Sequence, residues 1–147
     1  MSELIFTEIP FATPAFDEAL GLRNAVLRVP LGREFYADDI AREYDQTHLG
    51  VYAPSWELLG CLTLKPLDES TLKMRQVAVT ERQRGRGLGR ALVHYSERWA
   101  QQRGYTDMTL HAREVAVPFY LKMNYQTEGD RFEEVGIPHF RMRRRLK

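Results

Sequence analysis

The chain has 147 residues, with 21 basic against 20 acidic side chains and a net charge of +1. That length fits one domain around a single core, so one domain over 1–147 is expected, and the balanced charge excludes a global attraction to nucleic acid or to a membrane surface. No apolar run approaches the ~18 residues of a membrane span, the acidic N-terminus lacks a signal-peptide pattern, and one cysteine excludes an intrachain disulfide framework; a cytoplasmic protein without a metal site is the expectation.

Residues 3 to 9 alternate well enough for an opening strand. Pro14 then precedes a helix-like run from Ala15 to Leu27, in which Phe16, Ala19, Leu20, Val26 and Leu27 form an apolar stripe, and Pro30 with Gly32 ends it. Asp38 can cap a second short helix that contains Ile40, Ala41 and Tyr44. Residues 48 to 54 and 57 to 66 read as an antiparallel hairpin turning at Pro54 and Ser55. Cys61 lies inside its apolar second strand, as a buried thiol rather than a nucleophile.

The most informative stretch runs from 71 to 104. Leu72, Met74, Val77 and Val79 predict a strand buried on at least one side. From Leu88 the apolar residues fall at 88, 91, 92, 95 and 99, one face of a helix, and Gly104 is its C-terminal stop. Between the two stand Gly85, Gly87 and Gly89, alternating with other residues. Glycines there let the chain turn tightly and leave backbone N–H groups uncovered at a helix N-terminus, where the dipole favours an anion. Arg82, Arg84, Arg86 and Arg90 add positive charge. A Walker A loop is excluded because Gly89 is followed by Arg90 and Ala91, not Lys and Ser or Thr. A dinucleotide fingerprint starting at Gly85 would need glycine at position 90, which is arginine.

Beyond the helix, 107 to 112 predicts a strand, and 115 to 123 a short helix that tolerates Pro118 only near its first turn. Two further strands, 125 to 134 and 137 to 146, join at Val135 and Gly136. The last alternates Phe140 and Met142 with Arg141 and Arg143, a strand with one wet face, and Arg143, Arg144 and Arg145 read as a solvated terminus rather than a nucleic-acid patch.

Arg82-Gln83-Arg84-Gly85-Arg86-Gly87 resembles motif A, Q/R-x-x-G-x-G/A, of the GCN5-related N-acetyltransferases. The predicted order of strand, two helices, three strands, helix, strand, helix and two strands is also that family's order. The resemblance therefore implies an α/β (α+β) fold, a mixed sheet of about seven strands flanked by about four helices. It further implies that Gly85, Arg86, Gly87, Leu88, Gly89 and Arg90, with Arg82 and Arg84, hold the phosphates of acetyl-coenzyme A. Val77 and Val79 would offer backbone groups to the pantetheine arm and thioester carbonyl. The segment from Val117 to Tyr125 looks like the family's F-Y-x-K-x-G-F stretch, with Asn124 in place of glycine, so Tyr120 becomes the general acid for the leaving thiolate and Lys122 a further phosphate contact. A phenol at ~10 is close enough to a thiol at ~8.5 to donate. The family often has Asn seven residues before this tyrosine, where this chain has Arg113, so a pantetheine contact is not expected there. The ending from Glu134 to Met142 also looks like small bacterial members of the family.

For the general base His111, His139, Glu133 and Glu134 are the candidates, and a relay through water or an amine that arrives already neutral are the alternatives. The expected function is acetyl transfer from acetyl-coenzyme A to a primary amine of a small molecule or peptide, by direct attack in a ternary complex. A non-catalytic acyl-coenzyme A-binding module on the same fold is the alternative reading. Neither nucleic acid nor membrane is an expected partner, while dimers are common among proteins of this resemblance.

Overall fold

The computed structural model describes residues 3–32, 37–83 and 85–146, with the side chains of Leu31, Ala37 and Asp38 outside that description. Seven strands form one mixed sheet in the order β1-β2-β3-β4-β5-β7-β6, with four α-helices in the connections. The strands are β1 (Ile5–Glu8), β2 (Thr47–Tyr52), β3 (Leu58–Pro66), β4 (Thr71–Val79), β5 (Asp107–Arg113), β6 (Gln126–Glu134) and β7 (Ile137–Arg145). The helices are α1 (Pro14–Arg23), α2 (Ala37–Ala41), α3 (Leu88–Gln102) and α4 (Val117–Lys122). Every expected element is present in the expected order. Among the described residues no helix is long and apolar enough to cross a membrane.

Backbone contacts divide the chain into two compact units, one of residues 1–65 and 76–96, the other of 66–75 and 97–147. In the first, β1 and β3 both pair antiparallel with β2, with Gly50 opposite Thr7 on one side and Cys61 on the other. Helix α1 opens on a built cap: Thr13 sits in extended backbone, its Oγ1 accepts the N–H of Phe16 at 3.2 Å, and Pro14 follows in the first turn. Phe16 and Ala19 then pack into a core with Ile9, Cys61 and Ala78.

The helix expected over 15 to 27 stops as an α-helix at Arg23 and continues as a π-turn over Asn24–Arg28 and a 3-10 turn over Val29–Leu31, before Gly32 closes it at φ +66°. The π-turn lets the chain leave the ideal helical path after Arg23, whose side chain is 2% exposed. Its two terminal nitrogens donate to the two oxygens of Glu43 at 2.8 Å each, a planar two-bond pair. His48 stands beside it, bonded to the Thr63 hydroxyl and the Glu43 carbonyl and packed against Phe11 and Phe16. Helix α2 begins at Ala37, so Asp38 falls inside its first turn rather than at the cap.

The second unit is built on β5. The first part of β4 runs parallel to it, from Thr71 opposite Asp107 to Met74 opposite Leu110, and β7 runs antiparallel along its whole length. Met108, Leu110, Ala112 and Met142 are buried, whereas the residues between them in β5 and β7 carry the polar side chains. The terminal arginines differ from the expected solvated tail: Arg143 bonds Asp107 at 3.0 Å, and Arg144 bonds the buried Glu97 at 2.8 Å. Glu97 also accepts the Tyr125 hydroxyl at 2.7 Å. A carboxylate in the interior needs both partners to offset its lost hydration.

Replacing Arg23 by alanine leaves Glu43 charged and buried without its guanidinium. We expect a loss of about 3–5 kcal/mol in unfolding free energy, read from urea melts; a change below ~1 kcal/mol would show that the pair holds nothing together.

Candidate functional site

The first group of predicted residues lies where β4 hands over to α3. Val77 and Val79 are half-buried in the last part of β4. Gln76, just before them, has φ +57°, a left-handed residue inside a strand that the apolar pattern did not signal. A 3-10 turn over Glu81–Gln83 follows. Arg84 lies outside the described residues. Gly85 and Gly87 have φ +82° and +79°, and at either one a Cβ would meet no atom within 4 Å. Both therefore need glycine for the backbone angle, and both face open space.

Gly87 is the residue from which α3 springs, since its carbonyl accepts the Ala91 N–H at 3.0 Å. The N–H groups of Leu88, Gly89 and Arg90 have no intrahelical acceptor by the geometry of a first turn, and glycine at the cap brings no side-chain oxygen to them. Leu88 is buried and anchors the turn; Arg86 and Arg90 are exposed. Arg82 is exposed too and forms an ion pair with Glu57 across the first unit, a local partner that any bound anion would have to share. In the helix itself the buried positions are 88, 92, 93, 96, 97 and 100, so the face is rotated from the expected stripe: Tyr95 and Trp99 are half-buried, and the small Ser96 turns its hydroxyl to the Val93 carbonyl.

In the second unit Tyr120 is 7% exposed, and burial pushes its phenol up to about 12. Among the described residues its hydroxyl has no hydrogen-bond partner. Tyr125, by contrast, is committed to Glu97; burial and then that carboxylate's charge push its phenol up further still. Tyr120 and Tyr125 are the two ends of one helix stop. The Tyr125 N–H reaches the Tyr120 carbonyl, the Asn124 N–H reaches the Leu121 carbonyl, each at 3.0 Å, and Asn124 between them has φ +71°. This is a Schellman cap with asparagine in the left-handed place that glycine usually takes. The rings of Tyr120 and Tyr125 close it edge to face, 5.7 Å apart. Gly104 ends α3 in the same way at φ +88°, as expected. Pro118 sits in the first turn of α4, and Lys122 is exposed in its last.

The base candidates are partly assembled. His111 Nδ1 lies 2.9 Å from Glu134 Oε1. Phe132 packs edge-on against the His111 ring at 5.0 Å and lies 5.9 Å from His139. His139 is 5% exposed, with Nδ1 on the Ile137 carbonyl at 2.8 Å. Burial alone would raise the Glu134 acid, but the bond from His111 and the charges of His111, His139 and Lys73 outweigh it, and the net shift is downward. Glu133 alternates to the opposite side of β6 from Phe132 and Glu134 and is exposed. Phe132 and Lys73 escaped the sequence reading; only the pairing register of β4, β5, β6 and β7 brings Phe132 beside His111 and the charge of Lys73 to bear on Glu134. Among the described residues no group of three or more His, Cys, Asp or Glu side chains converges as a metal site.

The family model described as an acetyltransferase (GNAT) domain matches residues 31–146. The Bacillus subtilis protein YyaT, itself uncharacterised, is 33% identical over 76 residues, which is 52% of this chain and 51% of that protein. The chain spans about half the length of the curated relatives it matches first. Among solved structures, a Lactobacillus plantarum protein provisionally assigned as an N-acetyltransferase superposes with a TM-score of 0.80 at 29% identity, covering 99% of this chain and 98% of that one. An Elizabethkingia anophelis acetyltransferase solved with acetyl-coenzyme A bound superposes at 0.74 with 16% identity, 97% of each chain being covered.

Cys61, expected as a buried thiol, is 2% exposed in β3, and burial foremost pushes it up to about 12. Thiolate is the reactive form, so it is scarce at every pH below that value. Iodoacetamide at pH 8 should leave Cys61 unmodified in the native protein and alkylate it in urea; equal rates in the two states would contradict its burial.

Proposed function

The chain belongs to the GNAT acetyltransferase family, and from that premise we propose that it moves the acetyl group of acetyl-coenzyme A onto a primary amine of a small molecule or peptide, by direct attack in a ternary complex. The observation that carries the reading is the start of α3: two left-handed glycines facing open space, then a first turn whose amides have no acceptor among the described residues. That arrangement fits a pyrophosphate, because the N–H groups of Leu88, Gly89 and Arg90 and the positive helix end favour anionic oxygens without any side chain in the way. Arg86, Arg90 and Arg82 would supply charge around it, Arg82 in competition with Glu57. The backbone of Val77 and Val79 is the proposed rest for the pantetheine and, through an N–H, for the developing oxyanion.

Acetyl-coenzyme A supplies an acyl carbon already activated as a thioester. The chain's own contribution to its departure is a proton for sulfur. Tyr120 suits that task better than Tyr125, whose hydroxyl is held by Glu97, whereas that of Tyr120 is uncommitted among the described residues. A phenol at about 12 stays protonated throughout a usual assay range, so its proton is present at every pH, while burial also makes it a weaker donor to sulfur than the ordinary ~10 of a tyrosine. No part of this scheme uses Cys61.

The test is release of coenzyme A from acetyl-coenzyme A, followed by thiol detection across polyamines, amino acids, aminoglycosides and lysine peptides. Turnover with at least one amine class is expected. Tyr120→Phe should lower kcat by ~10-fold or more at every pH, leaving the shape of the pH profile unchanged; an unaltered rate would remove Tyr120 from the mechanism. Gly87→Val forces a β-branched residue into left-handed backbone at a cost of roughly 1–2 kcal/mol and crowds the first-turn amides. Acetyl-coenzyme A affinity by calorimetry should fall at least ~10-fold while the protein stays folded, and undiminished binding would refute the phosphate cradle. Binding without turnover on any amine would favour a non-catalytic acyl-coenzyme A module.

A further inference from the structure

We propose that the sheet face carrying Arg141, Arg143 and Arg145 of β7 docks an extended acidic peptide segment of a partner protein, one with a carboxylate at every second position. The site lies wholly within the second unit and does not depend on the acetyl-transfer reading. Side chains two apart on a strand share a face, so these arginines stand in a row with successive Cα atoms ~7 Å apart. The pairing registers place their neighbours. Arg141 lies opposite His111 of β5 and Glu128 of β6, Arg143 opposite Thr109 and Gln126, and Arg145 opposite Asp107. Arg113 of β5 and Lys73 of β4 fall on the same face. The helical part of this unit is on the other one: Arg144, which alternates with the row, bonds Glu97 of α3, and Glu97 holds Tyr125, whose ring meets Tyr120 of α4.

Two observations separate this row from ordinary solvated arginines. Charge on a strand commonly protects an exposed sheet edge, but β7 is not an edge, since β6 lies outside it. The charge is also not neutralised locally. Arg143 bonds Asp107 at 3.0 Å and Glu134 is taken by His111 at 2.9 Å, whereas Arg113, Arg141 and Arg145 form no ion pair among the described residues. Glu128 stands directly opposite Arg141 and still does not pair with it. Arg141 and Arg145 are exposed, and Arg143 between them is oriented by Asp107. Like charges so closely spaced repel one another, a cost that a carboxylate-bearing partner turns into attraction.

The spacing points to the occupant. An extended peptide repeats its same-side side chains every ~7 Å, so carboxylates at alternate positions meet successive guanidinium groups in step. Each guanidinium offers two parallel N–H groups to one carboxylate. A nucleic acid fits less well, because it is a uniform polyanion and Asp107, Glu128 and Glu134 on this face repel it. The chain's net charge of +1 supplies no wider field to overcome them. A peptide one strand wide follows the row and leaves Asp107 and Glu128 at its sides.

The experiment titrates the whole chain into three fluorescein-labelled probes and reads anisotropy at about 50 mM and about 300 mM salt. The probes are a heptapeptide alternating glutamate with threonine, a heptapeptide of the same composition with its glutamates in one block, and a single-stranded deoxyoligonucleotide of matched charge. The alternating peptide should bind at low salt and lose ~10-fold or more in affinity at high salt. R141Q/R145Q leaves the Arg143 to Asp107 bond intact, so its urea melt should match wild type while the affinity falls by ~10-fold or more. R141K/R145K should restore part of that loss, because it keeps the charge without the two-bond fork. The site is overturned if the alternating peptide fails to bind at low salt, or if R141Q/R145Q binds it as wild type does. Equal or tighter binding of the block peptide overturns the match of spacing, and tighter binding of the oligonucleotide overturns the peptide as occupant in favour of nucleic acid.

Discussion

A helix must find acceptors for its first N–H groups, and this chain solves that in two opposite ways. At α1 it uses Thr13, whose hydroxyl oxygen takes the Phe16 N–H. At α3 it uses Gly87, which brings no oxygen at all, after a connection in which Gly85 and Gly87 both take left-handed backbone that other residues avoid. The first solution stabilises a helix by its own means. The second leaves donors for something outside the chain, and the proposed coenzyme contacts depend on that omission. Leu88, buried immediately after the glycine, keeps the uncapped turn in place without satisfying it.

Elsewhere several buried polar side chains are held by partners within the chain. Arg23 and Glu43 share two bonds, His48 uses both ring nitrogens, and Glu97 holds Tyr125 and Arg144 at once. The Tyr120 hydroxyl and the Nε2 of His111 have no hydrogen-bond partner among the described residues. Tyr120 gains its position from the Schellman cap it shares with Tyr125, and His111 from a strand pairing together with the contact of its Nδ1 to Glu134.

The order of elements was legible because apolar periodicity and Gly or Pro punctuation dominate a chain of this kind. Strands β2, β3 and β4 showed in their apolar runs, α3 in its amphipathic spacing, and its end at Gly104. The glycine turn was legible for a different reason: glycines at 85 and 87 are demanded by φ, and that demand is visible in residue type alone. What stayed hidden was whatever depends on two distant segments meeting. Arg23 occupies a helical position that also suits a solvated arginine, and its partner is twenty residues away. The left-handed Gln76 carries no residue signature. His111 and Glu134 were both candidates, but nothing in the chain order says that they touch, because their meeting requires β7 to lie between β5 and β6 in the sheet.

That meeting also depends on an irregularity in β6. Glu128 faces Arg141 and Phe132 faces His139, so three residues of β6, 129 to 131, stand against the single Phe140 of β7. The surplus is two residues, and an even surplus returns the strand to the same side it left. Phe132 and Glu134 therefore stay on the side of His111. An insertion or deletion of one residue there would send both to the opposite face, whereas a change of two would only slide them along the strand. A segment that resembles a permissive surface loop is thus restricted to length changes in steps of two.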